Sequence, residues 1–202
     1  MALAQLKHEF ISQEEYLDGE LSSEIKHEYI DGDVYAMAGA SKNHQRIIAN
    51  SASALLVHLK NASCDVFVSN VKVKAANNFF YPDVMVVCED TTNHDYYTES
   101  PLIIIEVLSK STRKKDKTLK RQAYQSLPSL SEYVLIEQDF VDVEICRRVN
   151  HWQSEHYFLD DEVYFAAIDL RIPVATLYVR VINEDMREFL SWLRIKISWD
   201  KQ

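Results

Sequence analysis

The chain has 202 residues with only three glycines and four prolines, enough for one sizeable core of regular elements with short connections, and a single domain over 1–202 is expected. Its formal net charge of -9 disfavours non-specific adhesion to nucleic acid or anionic membrane, although a local basic site remains compatible with it. No apolar run of about 18 residues occurs, and the N-terminus MALAQLKHEFISQEE lacks a basic start followed by an apolar core, so neither a membrane span nor a secretory leader is expected and a cytoplasmic protein is.

Phe10 to Ser22 predicts a short helix capped by Ser12, with Glu14 and Glu15 in its first turn and an end near Gly19. His27 to Met37 reads as two strands about Asp31-Gly32, a dipeptide suited to the positive angles of a hairpin turn. Asn43 to Asn61 has Ile47, Ile48, Ala54, Leu55, Val57 and Leu59 between polar residues and predicts a long helix. Asp65 to Lys74 alternates as one strand, and Tyr81 to Cys88 reads as a second strand with an apolar middle. A polar loop over Glu89 to Ser100 precedes a strand from Leu102 to Leu108. Ser111 or Thr112 then caps a helix to about Ser126, with Pro128 beyond its end. Glu132 to Glu137 is a buried strand, Val141 to Val179 a meander of short strands, and Glu184 to Leu193 a closing helix. This order predicts an α/β or α+β domain with a mixed sheet, its β-rich C-terminal third extending the sheet or serving self-association. Cys64, Cys88 and Cys146 are an odd number without ligand spacing, and are expected to be reduced thiols.

Glu106 stands out. It lies inside Leu102-Ile103-Ile104-Ile105-Glu106-Val107-Leu108, a stretch apolar enough to be covered on both faces, where an unpaired carboxylate costs several kcal/mol. A cation or a catalytic pocket would account for that charge. Asp83, opening the preceding apolar strand directly after Pro82, is the best partner. On a neighbouring strand, roughly 4.8 Å away, its carboxylate and that of Glu106 can converge on one hard cation such as Mg²⁺.

A Pro-Asp opening one apolar strand and a Glu within the next is the layout of the PD-(D/E)XK nuclease core. The chain resembles the Uma-two family of that superfamily, restriction-endonuclease-like proteins, from about His27 to Tyr178. The likeness is carried by HEYIDGDVYAMAG (27 to 39), NHQRI (43 to 47), VFVSNVKVK (66 to 74), YPDVMVV (81 to 87), IIIEVLSKST (103 to 112), the Asp116, Lys120, Tyr124 spacing and PSLSEYVLI (128 to 136). It implies a restriction-endonuclease-like mixed sheet flanked by helices, divalent-metal dependence and DNA as substrate. The superfamily lysine two residues after the glutamate is replaced by Leu108, and the resemblance assigns its part to Lys120 on the following helix. Glu28 matches an N-terminal acidic position, as a third carboxylate or an orienter of water. Lys72 is a reserve for the lysine, and His44 and Gln45 match a pattern that lines the cleft.

The expectation is therefore a metal-dependent endodeoxyribonuclease. Asp83 and Glu106 would hold Mg²⁺ or Mn²⁺, with Lys120 and Glu28 completing the catalytic set. Arg113, Lys114, Lys115 and Lys117 would touch flanking phosphates. The alternative is a non-catalytic nuclease-fold module for nucleic-acid binding or assembly. A homodimer is expected from the exposed strands of a small mixed sheet.

Overall fold

The computed structural model describes residues 10–199, with side chains through residue 193. Helix α1 (Gln13–Ser22) is opened by a reciprocal cap: the Ser12 hydroxyl accepts the Glu15 N–H, and the Glu15 carboxylate accepts the Ser12 N–H. The helix runs on past Gly19, where its end is expected from sequence. Strands β1 (His27–Ile30) and β2 (Asp33–Ala36) form the hairpin, with Asp31 and Gly32 at φ 48° and 98° as such a two-residue turn requires. Helix α2 (Lys42–Leu59), capped by Ser41, buries Ile47, Ile48, Leu55 and Leu59.

The strand expected over Asp65 to Lys74 is in fact two, β3 (Asp65–Val68) and β4 (Lys72–Ala75), in different sheets. Ser69, at φ 55°, turns the chain between them, so the alternation that would place Lys72 and Lys74 with Val66 and Val68 is interrupted. Strand β5 (Asn78–Phe80) has no counterpart in the sequence reading; it is followed by β6 (Val84–Val87), and a short β7 (Tyr97–Thr98) lies in the segment read as polar loop. Strand β8 (Ile103–Leu108) leads into α3 (Arg113–Lys115), a π-helical turn over Asp116–Lys120 and α4 (Arg121–Gln125). Strands β9 (Glu132–Glu137), β10 (Val143–Arg147), β11 (Ser154–Tyr157), β12 (Glu162–Phe165) and β13 (Leu170–Pro173) precede α5 (Val174–Leu177) and α6 (Glu184–Trp199).

The strands form a mixed six-stranded sheet in the order β11-β10-β9-β8-β6-β3, a five-stranded sheet β2-β1-β5-β4-β7 and the hairpin β12-β13. Part of the C-terminal third therefore extends the main sheet. Strand β8 is central, parallel to β9 and antiparallel to β6, and all six of its residues are buried. Ile103, Ile105 and Val107 share a core with α2. Ile104 and Leu108 face the other way, toward Tyr124, Leu127 and the smaller sheet's Val73 and Phe80. Alternation puts Glu106 on this second face.

The cysteines depart from expectation. Register Asp65↔Val87 sets residues 64 and 88 opposite one another, and they form a disulfide, leaving Cys146 free and buried. A separation of 24 residues hides that pairing until the strand register is known. Among the described residues no helix is long and apolar enough to cross a membrane.

Candidate active site

Register Val84↔Ile105 in the β6–β8 ladder places Asp83 beside Glu106, and both line one cavity of about 910 Å³. Asp83 is clamped through one oxygen: Oδ2 accepts the Val107 N–H at 2.7 Å and lies 3.3 Å from His44 Nε2. His44 reaches it because the Ser41 cap starts α2 at the cavity, with the Ser41 hydroxyl accepting the His44 N–H. With Oδ2 engaged twice, Oδ1 is the oxygen left to a ligand.

Glu106 is held from the opposite side. Its Oε1 accepts from the Tyr124 hydroxyl at 3.0 Å and from Lys120 Nζ at 3.1 Å. The same ammonium lies 2.8 Å from Glu28 Oε1 and 3.3 Å from Asp116 Oδ1. Glu28, carried in by β1, also meets Lys115 at 2.5 Å. The π-helical turn makes this convergence possible. In an α-helix, side chains four residues apart drift by about 40° per step, which would carry residues 116, 120 and 124 progressively round the helix. Here the Arg121 N–H reaches back to the Asp116 carbonyl, the wider turn absorbs drift, and all three side chains are buried.

Five carboxyl groups thus line the cavity: Asp139 pairs with Arg113, and Glu28, Asp83, Glu106 and Asp116 stand against the two ammonium groups of Lys115 and Lys120 and the imidazole of His44. Burial pushes Glu106 well above the ordinary carboxyl range, and Lys120 offsets this only in part because Asp116, Asp83 and Glu28 add to the rise. Lys120 is held well above the usual lysine range: burial opposes its charge, but Glu106, Tyr124, Glu28 and Asp116 outweigh that. It is a fixed cation, not a base. Glu28 is lowered despite burial, by Lys120 and Lys115. His44 is raised, since contact with Asp83 outweighs its own burial.

Carboxyl oxygen donors that outnumber the cations in contact with them suit a hard divalent cation, which would favour their ionised form. Among the described residues no cluster of three or more His, Cys, Asp and Glu side chains is placed to hold a metal ion. The fit is therefore to an ion that takes one or two carboxylates and completes its shell with water and phosphate, as Mg²⁺ does.

Of the residues singled out in the sequence, Asp83, Glu106, Lys120, Glu28, His44 and Gln45 come together around the cavity. Lys72 does not. It is buried against Tyr81, whose hydroxyl lies 3.3 Å from Nζ, and its pKa is lowered by burial. The basic run also differs from expectation. Arg113 makes a bidentate pair with Glu137, its Nε donating to Oε1 and its Nη2 to Oε2, Lys115 holds Glu28, and Lys117 lies 3.2 Å from Glu144. These three cations serve the protein's own carboxylates, which sequence could not reveal because the acids come from β1, β9 and β10, whereas Lys114 is exposed and has no carboxylate partner among the described residues. Asp116 and Tyr124 were given no role by sequence reasoning, though their spacing of four on either side of Lys120 was the available sign.

A family model described as "Uma2: Putative restriction endonuclease" matches residues 13–174. Two uncharacterized proteins of Synechocystis sp. are similar to the chain. One, slr1290, is 33% identical over 174 residues, covering 83% of this chain and 91% of its own length. The other, sll1609, is 37% identical over 145 residues, covering 69% and 78%. Among solved structures, a crystal structure titled as a putative nuclease belonging to DUF820, from Anabaena variabilis, superposes with a TM-score of 0.71 at 18% identity. It covers 85% of this chain and 99% of that one, a likeness of fold.

Proposed function

Since the chain belongs to the Uma2 family, whose model is described as "Putative restriction endonuclease", we propose that it is a metal-dependent endonuclease that hydrolyses phosphodiester bonds of DNA. The observation that carries this reading is the convergence of Glu28, Glu106 and Asp116 on the buried ammonium of Lys120, beside Asp83 on the adjacent strand. A purely structural ion pair needs one carboxylate per cation. Here the carboxyl groups are in excess, an arrangement that a divalent cation would balance.

Asp83 and Glu106 would hold the metal, Mg²⁺ or Mn²⁺. When bound, such an ion lowers the pKa of a water and neutralises charge on a phosphate. The protein's own groups prepare the place. His44 and the Val107 N–H fix the Asp83 carboxylate, while Tyr124 and Lys120 fix that of Glu106. Because Lys120 keeps its proton, it acts by charge: it meets the negative charge that builds on the phosphoryl oxygens as water attacks phosphorus and the ester oxygen departs. Leu108 sits in the apolar core at the position where the superfamily pattern has lysine, so this cation must come from the helix. Glu28 keeps Lys120 and Lys115 in place as their shared counter-ion.

Plasmid nicking tests the reading. Wild-type protein should convert supercoiled DNA to open circles with Mg²⁺ or Mn²⁺ and not with EDTA. Glu106→Gln, which preserves shape and a hydrogen bond to Tyr124, should reduce nicking at least about 100-fold, as loss of a group acting in the transition state does. A wild-type protein that binds DNA and cuts none would be the non-catalytic module. Nicking unchanged by Glu106→Gln would remove the assignment of this cavity.

A further inference from the structure

Four lysines wall the cavity: Lys26, Lys110, Lys115 and Lys120. The last two are engaged by carboxylates. Lys26 differs. It is exposed, and its ammonium donates to two neutral acceptors, the Ser69 carbonyl at 2.8 Å and the Asn70 side-chain oxygen. Neutral acceptors fix the ammonium in place and leave its full charge available. Lys110 is exposed too, and has no carboxylate partner among the described residues.

Their attachments relate them to the two acids. The Ser69 that holds Lys26 also donates its backbone N–H to the Asp83 carbonyl at 3.1 Å, so Lys26 is fixed to the Asp83 side. Lys110 follows the strand that carries Glu106, two residues beyond its end. On a chain of net charge -9, a polyanion needs local cations to approach these carboxyl groups; Arg113, Lys115, Lys117, Lys120 and Arg121 are occupied by internal partners, and Lys114, though exposed, does not line the cavity. Resting on the nuclease reading above, we infer that Lys26 and Lys110 are the phosphate-contacting residues that seat a nucleic-acid backbone across Asp83 and Glu106.

Salt dependence gives a readout that a merely structural lysine would not move. Each phosphate neutralised releases counterions, so log affinity against log salt steepens by about 0.9 per contact on duplex DNA and about 0.7 on single strands. Fluorescence anisotropy with labelled duplex and single-stranded oligonucleotides in EDTA, where no cleavage occurs, measures this slope. Lys26→Ala and Lys110→Ala should each flatten it by about one, the double variant by about two, and Lys→Arg at either position should restore it. Lys60→Ala removes the same charge from the far end of α2, more than 20 Å along the helix by its rise of about 1.5 Å per residue, and should leave the slope unchanged.

Variants that melt like wild type and keep its slope would overturn the inference, as would a wild-type protein that binds neither oligonucleotide. Plasmid nicking in Mg²⁺ separates this from the nuclease reading. A wild type that nicks while both variants keep its slope refutes the lysines alone. A flattened slope in a protein that never nicks supports the lysines and refutes the nuclease.

Discussion

Lys120 concentrates the energetics of the cavity in one side chain. It is 5% exposed and is the common counter-ion of three carboxylates contributed by three separate segments. Removing one partner of a buried ion pair leaves an uncompensated charge, at a cost of about 3–5 kcal/mol. Lys120→Met should therefore lower stability by about that amount in urea unfolding, as well as abolish nicking. Glu106→Gln in the same chain should recover part of the loss, because one of the stranded carboxylates becomes neutral. A double variant no more stable than the single would show that Glu106 and Lys120 are not coupled. Glu106 stood out in the sequence because a carboxylate in an apolar run needs a partner, and the structure gives it Lys120 and Tyr124. Asp83 followed from Pro-Asp, and Lys120 from a family resemblance. His44 Nε2 on Asp83 was not legible as a contact, since it depends on where α2 begins relative to β6.

At the scale of elements, the segment after β8 does two things. Its π-helical turn aims Asp116 and Lys120 into the cavity, and its outer face ties to the sheet through Arg121 and Lys117 on Glu144 of β10. Deleting Thr118, an exposed residue inside the turn, should convert it to regular α-helix and put Asp116 and Lys120 out of step. The expected outcome is loss of nicking with the far-UV circular dichroism of wild type. The Glu144 carboxyl is brought down to about 2 from 4.5: burial opposes the shift, while Ser154, Arg121 and Lys117 produce it. A folded-state pKa below the unfolded one stabilises fully above about 4.5 and loses that contribution as pH falls toward about 2. The melting-temperature gap between wild type and Glu144→Gln should therefore be constant above 4.5 and close below it. A gap that persists at about pH 2 would rule out this linkage. Periodicity made β6, β8, β9 and α2 readable. It misled at Asp65 to Lys74, because alternation is indifferent to a left-handed Ser69 that passes the chain from one sheet to the other.

The whole molecule is held together at one edge by a covalent bond that spacing did not announce. The Cys64–Cys88 disulfide joins edge strand β3 to β6, the strand that Asp83 opens, and closes a loop with a separation of 24 residues. A loop of that length contributes about 3.5 kcal/mol by restricting the unfolded chain, so Cys64→Ser should lower unfolding stability by about that much. Thiol titration in denaturant should find one free thiol before reduction and three after. Three free thiols in protein never exposed to reductant would refute the bond. The mixed sheet flanked by helices was readable from the order of elements, but its division into two sheets and a hairpin was not, since that division depends on pairings between distant strands. The same dependence gives the π-helical turn a use as a ruler. From the strand glutamate to the helix lysine the chain counts fourteen residues, and to the tyrosine eighteen. Those two intervals can be counted in any related sequence without a structure. A relative that has gained or lost a single residue between these positions, and nothing compensating, should no longer bring its lysine to its glutamate.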